Sequence, residues 1–293
     1  PIVLIGLIGF SLIPILPVYA SPWTIAAGTT VTVNVDTEKD EDILVLGTLI
    51  VTGSGIALNL HQTANHEHKI DVEDGGVLIV EDGATIHGDT FDWELNVYWG
   101  SKLILNDGTL QDADDIDVYY DSSFTADLSL VEDTDYVYVY YSSRVVATDT
   151  DFVDSASAPL TDFYVYYGST LTFTNVVCYY VELYYLSEGT ITGSTIDDDL
   201  YLYSMCKATV VNTDIDSDVT LYYGCSISIT GGSYVSSYFY IYQGSYAYIE
   251  DTEFYDFYAD DGCRADITNC VCTYEIEVED GSYAVCNGLT SGA

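Results

Sequence analysis

Carboxylates, imidazoles and thiols are the groups through which this chain could do chemistry, and each set is unevenly placed. Forty-seven Asp and Glu stand against six Lys and Arg, for a formal charge of −41. Runs such as Asp112-Ala113-Asp114-Asp115, Asp197-Asp198-Asp199 and Asp260-Asp261 offer the oxygen ligands that Ca²⁺ takes. No EF-hand or glycine–aspartate nonapeptide accompanies them, and the alternative is a solvated, salt-tolerant exterior screened by diffuse counterions. The four histidines, His61, His66, His68 and His87, gather in one early region. Zinc or another transition metal could be held there. Equally, Gln62 to Lys69 reads as an exposed polar loop whose imidazoles need no partner. All seven cysteines lie in the second half, at 178, 206, 225, 263, 270, 272 and 286. Cys270-Val271-Cys272 lacks zinc-ribbon spacing and has no second pair to match it.

The elements that must position these groups announce themselves through tyrosine. Tyr98, Tyr119, Tyr140, Tyr166, Tyr184, Tyr203, Tyr222 and Tyr242 recur at steps of 21, 21, 26, 18, 19, 19 and 20 residues. An aliphatic residue precedes each one, from Val97 to Ile241, and another apolar residue stands two positions earlier, from Leu95 to Phe239. An apolar–x–apolar–Tyr strand at this period predicts a solenoid in which equivalent residues stack. A second register runs through Phe173, Ile191, Val210, Ile229, Ile249, Ile267 and Val285. Five residues beyond it come Cys178, Ile196, Ile215, Tyr234, Phe254 and Cys272, assigned to a second buried column. Alternation of period two buries one face of each strand and exposes the other.

From about residue 163, coils of some 19 residues leave room for two strands and two turns. They predict an all-β, flattened two-sheet parallel β-solenoid of the β-arch type, with about eleven coils. The earlier coils are longer and could carry a third short strand. Gly47-Thr48-Leu49-Ile50-Val51, Gly76-Val77-Leu78-Ile79-Val80 and Gly100-Ser101-Lys102-Leu103-Ile104 place glycine where a corner needs a left-handed backbone. Residues 21–286 form one domain and 287–293 a polar C-terminal tail. Residues 1–20 are nearly all apolar, and Val18-Tyr19-Ala20 fits a signal-peptidase cut. A retained membrane anchor is the alternative, since the stretch is just long enough to span.

Within this register Cys206, Cys225 and Cys263 share one column, with Ser245 in the coil between the last two. Cys206 and Cys225 then lie on adjacent coils, within the Cα separation a disulfide tolerates. Cys270 and Cys286 are further disulfide candidates, and an odd total leaves one thiol free or directed to another chain. Cys178 and Cys272 read as packed thiols.

Lys39, Lys69, Lys102, Arg144, Lys207 and Arg264 stand singly along the chain, which excludes nucleic-acid binding, because phosphate contact needs clustered Lys and Arg. No serine-nucleophile elbow, phosphate loop or zinc-protease motif is present. Carboxylates are too abundant for any pair to indicate a glycosidase, and a chain this acidic repels anionic sugars. No catalytic residue is assigned. Carbohydrate binding on the tyrosines, or polysaccharide cleavage, remains an alternative, as does a calcium-dependent surface adhesin. Tyrosine is a good strand former, but an outward column eight deep is an aromatic patch suited to a partner. The open ends of a solenoid also invite addition of another chain.

An apolar leader, short β-arch coils, tyrosine ladders, acidity and cysteines able to cross-link resemble the sheath proteins of filamentous methanogenic archaea. The resemblance covers residues 95 to 286 as an architecture. It implies a non-enzymatic extracellular subunit that assembles edge to edge, amyloid-like, around the cell. Tyr98 to Tyr242 would form a contact face, and Cys206, Cys225 and Cys263 would act as staples. The absence of an Asn-x-Ser/Thr sequon departs from many archaeal surface-layer proteins.

Overall fold

A computed structural model describes residues 21–89, 91–154, 158, 160 and 161–291. The leader expected at 1–20 lies outside them. Among the described residues no helix is long and apolar enough to cross a membrane. The described residues are all-β: thirty-seven strands, from Trp23–Ile25 to Thr290–Ser291, divide into sheets of 24 and 13 strands. Every pairing is parallel and joins one coil to the next, as a β-solenoid requires. The thirteen-stranded sheet takes one strand per coil, so the stack has about thirteen turns rather than eleven. At one strand spacing of ~4.8 Å per turn it stands ~60 Å tall. Thr30–Val33 opens the sheet, and Tyr283–Asn287 closes it.

Typical coils place three strand segments, two of them in the broad sheet. In one, Thr170–Thr174 is followed by Val177–Cys178 and Tyr180–Tyr184. The middle segment is only two residues long, too short to show alternation in the sequence. Its column runs Cys178, Ile196, Ile215, Val235, Phe254 and Cys272. Val235, not Tyr234, fills the fourth place; Tyr234 is exposed. The extra residue supplied by Gly231-Gly232 displaces that coil by one position. The expected tail also joins the stack, since Thr290–Ser291 pairs with Val271–Cys272.

The core is made of stacked aliphatic columns facing one another across the two sheets. Val181, Leu200 and Val219 form part of one, and Leu183, Leu202 and Leu221 part of the next; all six are fully buried. Where Ala126 and Ala147 leave the thirteen-stranded sheet thin, phenylalanines fill the space. Phe163 meets Phe152 and Phe173 edge to face, each pair with ring centroids 4.8 Å apart. Such pairs keep a core of mixed side-chain size close-packed.

The N-terminal glycines serve two different ends. Gly100 has φ +72°, as a left-handed corner demands. At Gly76 the need is space: a Cβ there would lie 2.0 Å from the Val45 carbonyl oxygen of the preceding coil.

Candidate functional site: an aromatic corner between a basic and an acidic column

Third and first strands of successive coils meet at a corner that repeats up the stack. The anchor tyrosines end the strands entering it. From Tyr119 to Tyr242 their rings are offset-stacked, with centroids 4.6–5.0 Å apart and interplanar angles of 5–14°. Tyr98 begins the column edge-on, 5.4 Å from Tyr119. They point away from the core, as their register predicts, but each is half-buried between its neighbours.

The exposed aromatic surface belongs to the next residue instead. Trp99, Tyr120, Tyr141, Tyr167 and Tyr185 stack at 4.2–5.2 Å with interplanar angles of 3–5°. They are 38–55 % exposed, and the same line continues past Ser204 to Tyr223, with Leu186 and Met205 protruding beside it. Its sequence signal is the doublet, Tyr119-Tyr120, Tyr140-Tyr141, Tyr166-Tyr167, Tyr184-Tyr185 and Tyr222-Tyr223. Strand alternation alone would send the second ring inward. It turns outward because the corner is left-handed: φ is 55° at Tyr120, 54° at Tyr141 and 49° at Tyr185. A non-glycine residue pays ~1–2 kcal/mol for that conformation, and each ring pair contributes ~0.5–1.5 kcal/mol in return.

A buried hydroxyl or thiol ladder holds the corner from within. Ser101, Ser122, Ser143, Ser169, Ser187, Cys206, Cys225, Ser245 and Cys263 share this place, each almost wholly buried. The Ser122 N–H donates to Ser143 Oγ of the next coil at 3.3 Å, and the Cys206 N–H donates to Cys225 Sγ at 3.3 Å. At a left-handed turn the sheet ladder lapses, and a buried N–H needs another acceptor. Cysteine therefore stands in for serine. Cys270 does the same at the opposite turn, where its thiol reaches the Thr268 carbonyl as Ser194 Oγ reaches that of Thr192.

The disulfide expected between Cys206 and Cys225 is not made, and all seven thiols are free. In-register strands hold equivalent Cβ atoms ~4.8 Å apart, beyond the ~3.5–4.5 Å that the bond requires. Six cysteines are buried, Cys178 and Cys272 in the core as expected, and Cys286 is exposed. Denatured without reductant, the chain is expected to titrate all seven thiols with Ellman's reagent. A value of five would restore the pair.

Two charged columns flank the corner. Four of the six basic residues, Lys102, Arg144, Lys207 and Arg264, occupy one column on the thirteen-stranded sheet, at the first residue of its strands. They are not scattered, as the linear spacing implied; Lys102, Arg144 and Lys207 each follow an anchor tyrosine by four residues. All four are exposed. Arg264 bonds Asp266 at 2.7 and 3.1 Å, and Lys207 lies 3.8 Å from Glu188. Lys102 and Arg144 make no ion pair among the described residues.

On the broad sheet the opposite sign accumulates. Glu94, Asp115, Asp162, Asp199, Asp218 and Asp256 fall in one column shared with Tyr136, Tyr180 and Tyr238. In the adjoining column Asp117 is pushed up to about 7, chiefly by burial and then by Asp115 and Glu94. Burial likewise lifts Asp115 and Asp162 to about 6. One carboxyl oxygen of each of these two is buried without a hydrogen bond, which favours the protonated form.

The expected metal ligands are dispersed. His61 binds Asp89 and lies 3.8 Å from Glu38. His66 lies 3.1 Å from Glu94 and 3.4 Å from Asp114, and His68 lies 3.4 Å from Asp40. His87 Nδ1 faces the Gly88 carbonyl at 2.7 Å. Each imidazole thus has its own partner, and the four do not converge on one point. The carboxylates of Asp197, Asp198 and Asp199 do not gather at one point among the described residues. Asp199 Oδ1 accepts the Asp218 N–H at 2.8 Å, and the Asp197 and Asp198 N–H groups bond the preceding coil. The described residues bring three carboxylates, those of Asp260, Asp261 and Asp280, within 4.8 Å of one another, on the exposed surface.

Searches of protein-family models, curated proteins and solved structures found no match to this chain.

Proposed function

We propose that the chain is a structural, non-catalytic building block that self-associates outside the cell, as a subunit of a sheath or surface layer like those it resembles. The observation that carries this reading is the exposed aromatic corner, continuous from Trp99 to Tyr185. Exposed aromatic ridges of that extent are suited to packing against another macromolecule. Ring stacking also favours a protein partner over a sugar. Sugars lie against ring faces, but here the faces meet one another at 4.2–5.2 Å and present mainly edges to solvent.

The first and last described strands of the thirteen-stranded sheet support growth along its axis. Among the described residues Tyr283–Asn287 pairs with Arg264–Thr268 on one side alone, and Thr30–Val33 with Thr48–Thr52 on one side alone. Val278, Tyr283, Val285 and Leu289 remain exposed at the C-terminal end. Unpaired strand edges of this kind template a further strand. Short arch-like coils and a cleaved leader belong to the same reading.

Negative-stain microscopy of the mature chain, with and without divalent ions, is expected to show ordered arrays. Compact monomers that deplete a polysaccharide would replace this reading with the binding or degrading one. Tyr141→Ser, Tyr167→Ser and Tyr185→Ser together are expected to weaken association at least tenfold in sedimentation velocity, because three exposed aromatic rings leave the contact surface. The monomer's strand signal should persist, because Ser204 already occupies this column. Unchanged association would remove the corner from the contact.

A further inference from the structure

We infer that the basic column beside the aromatic corner docks a second copy of this chain through that copy's acidic column, in a heterologous side-to-side contact rather than a symmetric one. The inference rests on the self-association proposed above and assigns its surfaces. Lys102, Arg144, Lys207 and Arg264 are brought to one line by a fold whose formal charge is −41, and all four project from an exposed position. Two of them, Lys102 and Arg144, have no carboxylate partner within the chain among the described residues.

The neighbouring corner is almost free of charge. From Trp99-Gly100 through Tyr141-Ser142, Tyr167-Gly168, Tyr185-Leu186, Ser204-Met205 and Tyr223-Gly224, the pair at Tyr120-Asp121 alone carries a carboxylate. Elsewhere two copies approaching each other meet like charge at short range, which costs free energy and slows encounter. This line is where one copy offers positive charge and aromatic surface together.

The complement is present on the same molecule. The acidic column of the broad sheet, exemplified by Glu94, Asp218 and Asp256, advances by one strand spacing per coil, as the basic column does, with uncharged residues such as Tyr136, Tyr238, Ser123 and Ser226 between the charges. Both therefore share one axial spacing of ~4.8 Å. Parallel side-by-side copies can therefore bring a cation level with a carboxylate at several separate coils without a fitted groove. Because the two columns lie on different sheets, each copy can give its basic side to one neighbour and its acidic side to another. Such heterologous contacts propagate into sheets, rings or tubes.

Charge reversal tests the assignment. Lys102→Glu, Arg144→Glu, Lys207→Glu and Arg264→Glu together are expected to weaken self-association of the mature chain at least tenfold by sedimentation velocity, with far-UV circular dichroism unchanged. Mixing this variant with one bearing Glu94→Lys and Asp256→Lys should restore association that neither shows alone. If the quadruple variant fails to fold, Lys102→Ser with Arg144→Ser carries the same test, since Ser123 and Ser226 occupy that column naturally. Wild-type association with an undiminished quadruple variant overturns this inference and leaves self-assembly standing. A wild-type chain that stays monomeric under all salts overturns self-assembly itself. Polyaspartate bound by the wild type and lost in the variant, with self-association unaffected, would assign the column to an acidic polymer and overturn the second copy as its occupant.

Discussion

Leu202→Asp is expected to abolish the folded solenoid, or to lower its stability by several kcal/mol, while Tyr203→Asp leaves the monomer folded. Leu202 is fully buried, with Leu183 and Leu221 in register below and above it. A carboxylate there has no cation within reach, and burying an unpaired charge costs at least several kcal/mol even when it escapes by protonation. A chain end could move aside, but this coil is held on both faces, so disruption spreads to its neighbours. Tyr203 differs by one residue and points to the other side. It stacks on Tyr184 at 4.8 Å and on Tyr222 at 4.9 Å. Losing both contacts costs ~1–3 kcal/mol, a fraction of the damage in the core. Denaturant midpoints and far-UV circular dichroism read the contrast. Equal loss in the two variants would mean that the strand faces are assigned the wrong way round.

Stability is expected to rise as pH falls from about 8 to about 5, against the common trend for proteins whose carboxylates are salt-bridged. Burial raises Asp117 to about 7, and Asp112, Asp115 and Asp162 to about 6. These groups hold protons in the folded state that the unfolded chain releases near pH ~4. Their contribution is therefore complete below the unfolded pKa and is lost as pH rises through the folded values, between about 4 and about 7. His61, held above its ordinary range by its bond to Asp89, acts in the same direction. Asp117→Asn should remove the largest part, on the order of 2 kcal/mol at about pH 8 after allowance for solvent screening. An amide fits that place, because Asn96 holds it in the adjacent coil, donating to Asp71 and accepting from the Tyr98 hydroxyl, each at 2.8 Å. Urea midpoints at the two pH values decide the matter. A wild-type midpoint that is flat or falls towards pH 5 would show that these carboxylates ionise as freely in the fold as outside it.

The repeat, the faces of its strands and the parallel solenoid were determined by the sequence alone. Alternation of Leu200-Tyr201-Leu202-Tyr203 can bury only one face, and equal spacing between coils forces like residues to stack. The same logic identified the column of Cys206, Cys225 and Cys263 and the packed thiols Cys178 and Cys272. Tertiary structure decided what periodicity does not encode. Two-residue strands such as Thr195–Ile196 show too little alternation to count, so their buried column, Cys178, Ile196 and Ile215, is legible in the sequence without being marked as a strand of its own in the coils of about 19 residues. Left-handed corners turn the second tyrosine of each doublet outward, which placed the exposed ridge at Tyr120, Tyr141, Tyr167 and Tyr185 instead of at their neighbours. The Cys206 and Cys225 thiols stack yet stay unbonded, because registry sets their Cβ separation and sequence spacing does not report it. Lys102, Arg144, Lys207 and Arg264 are dozens of residues apart along the chain, and only coiling at unequal coil lengths brings them into one line. A charge column is a property of which coil lies on which, and that is fixed by the lengths of the turns between strands.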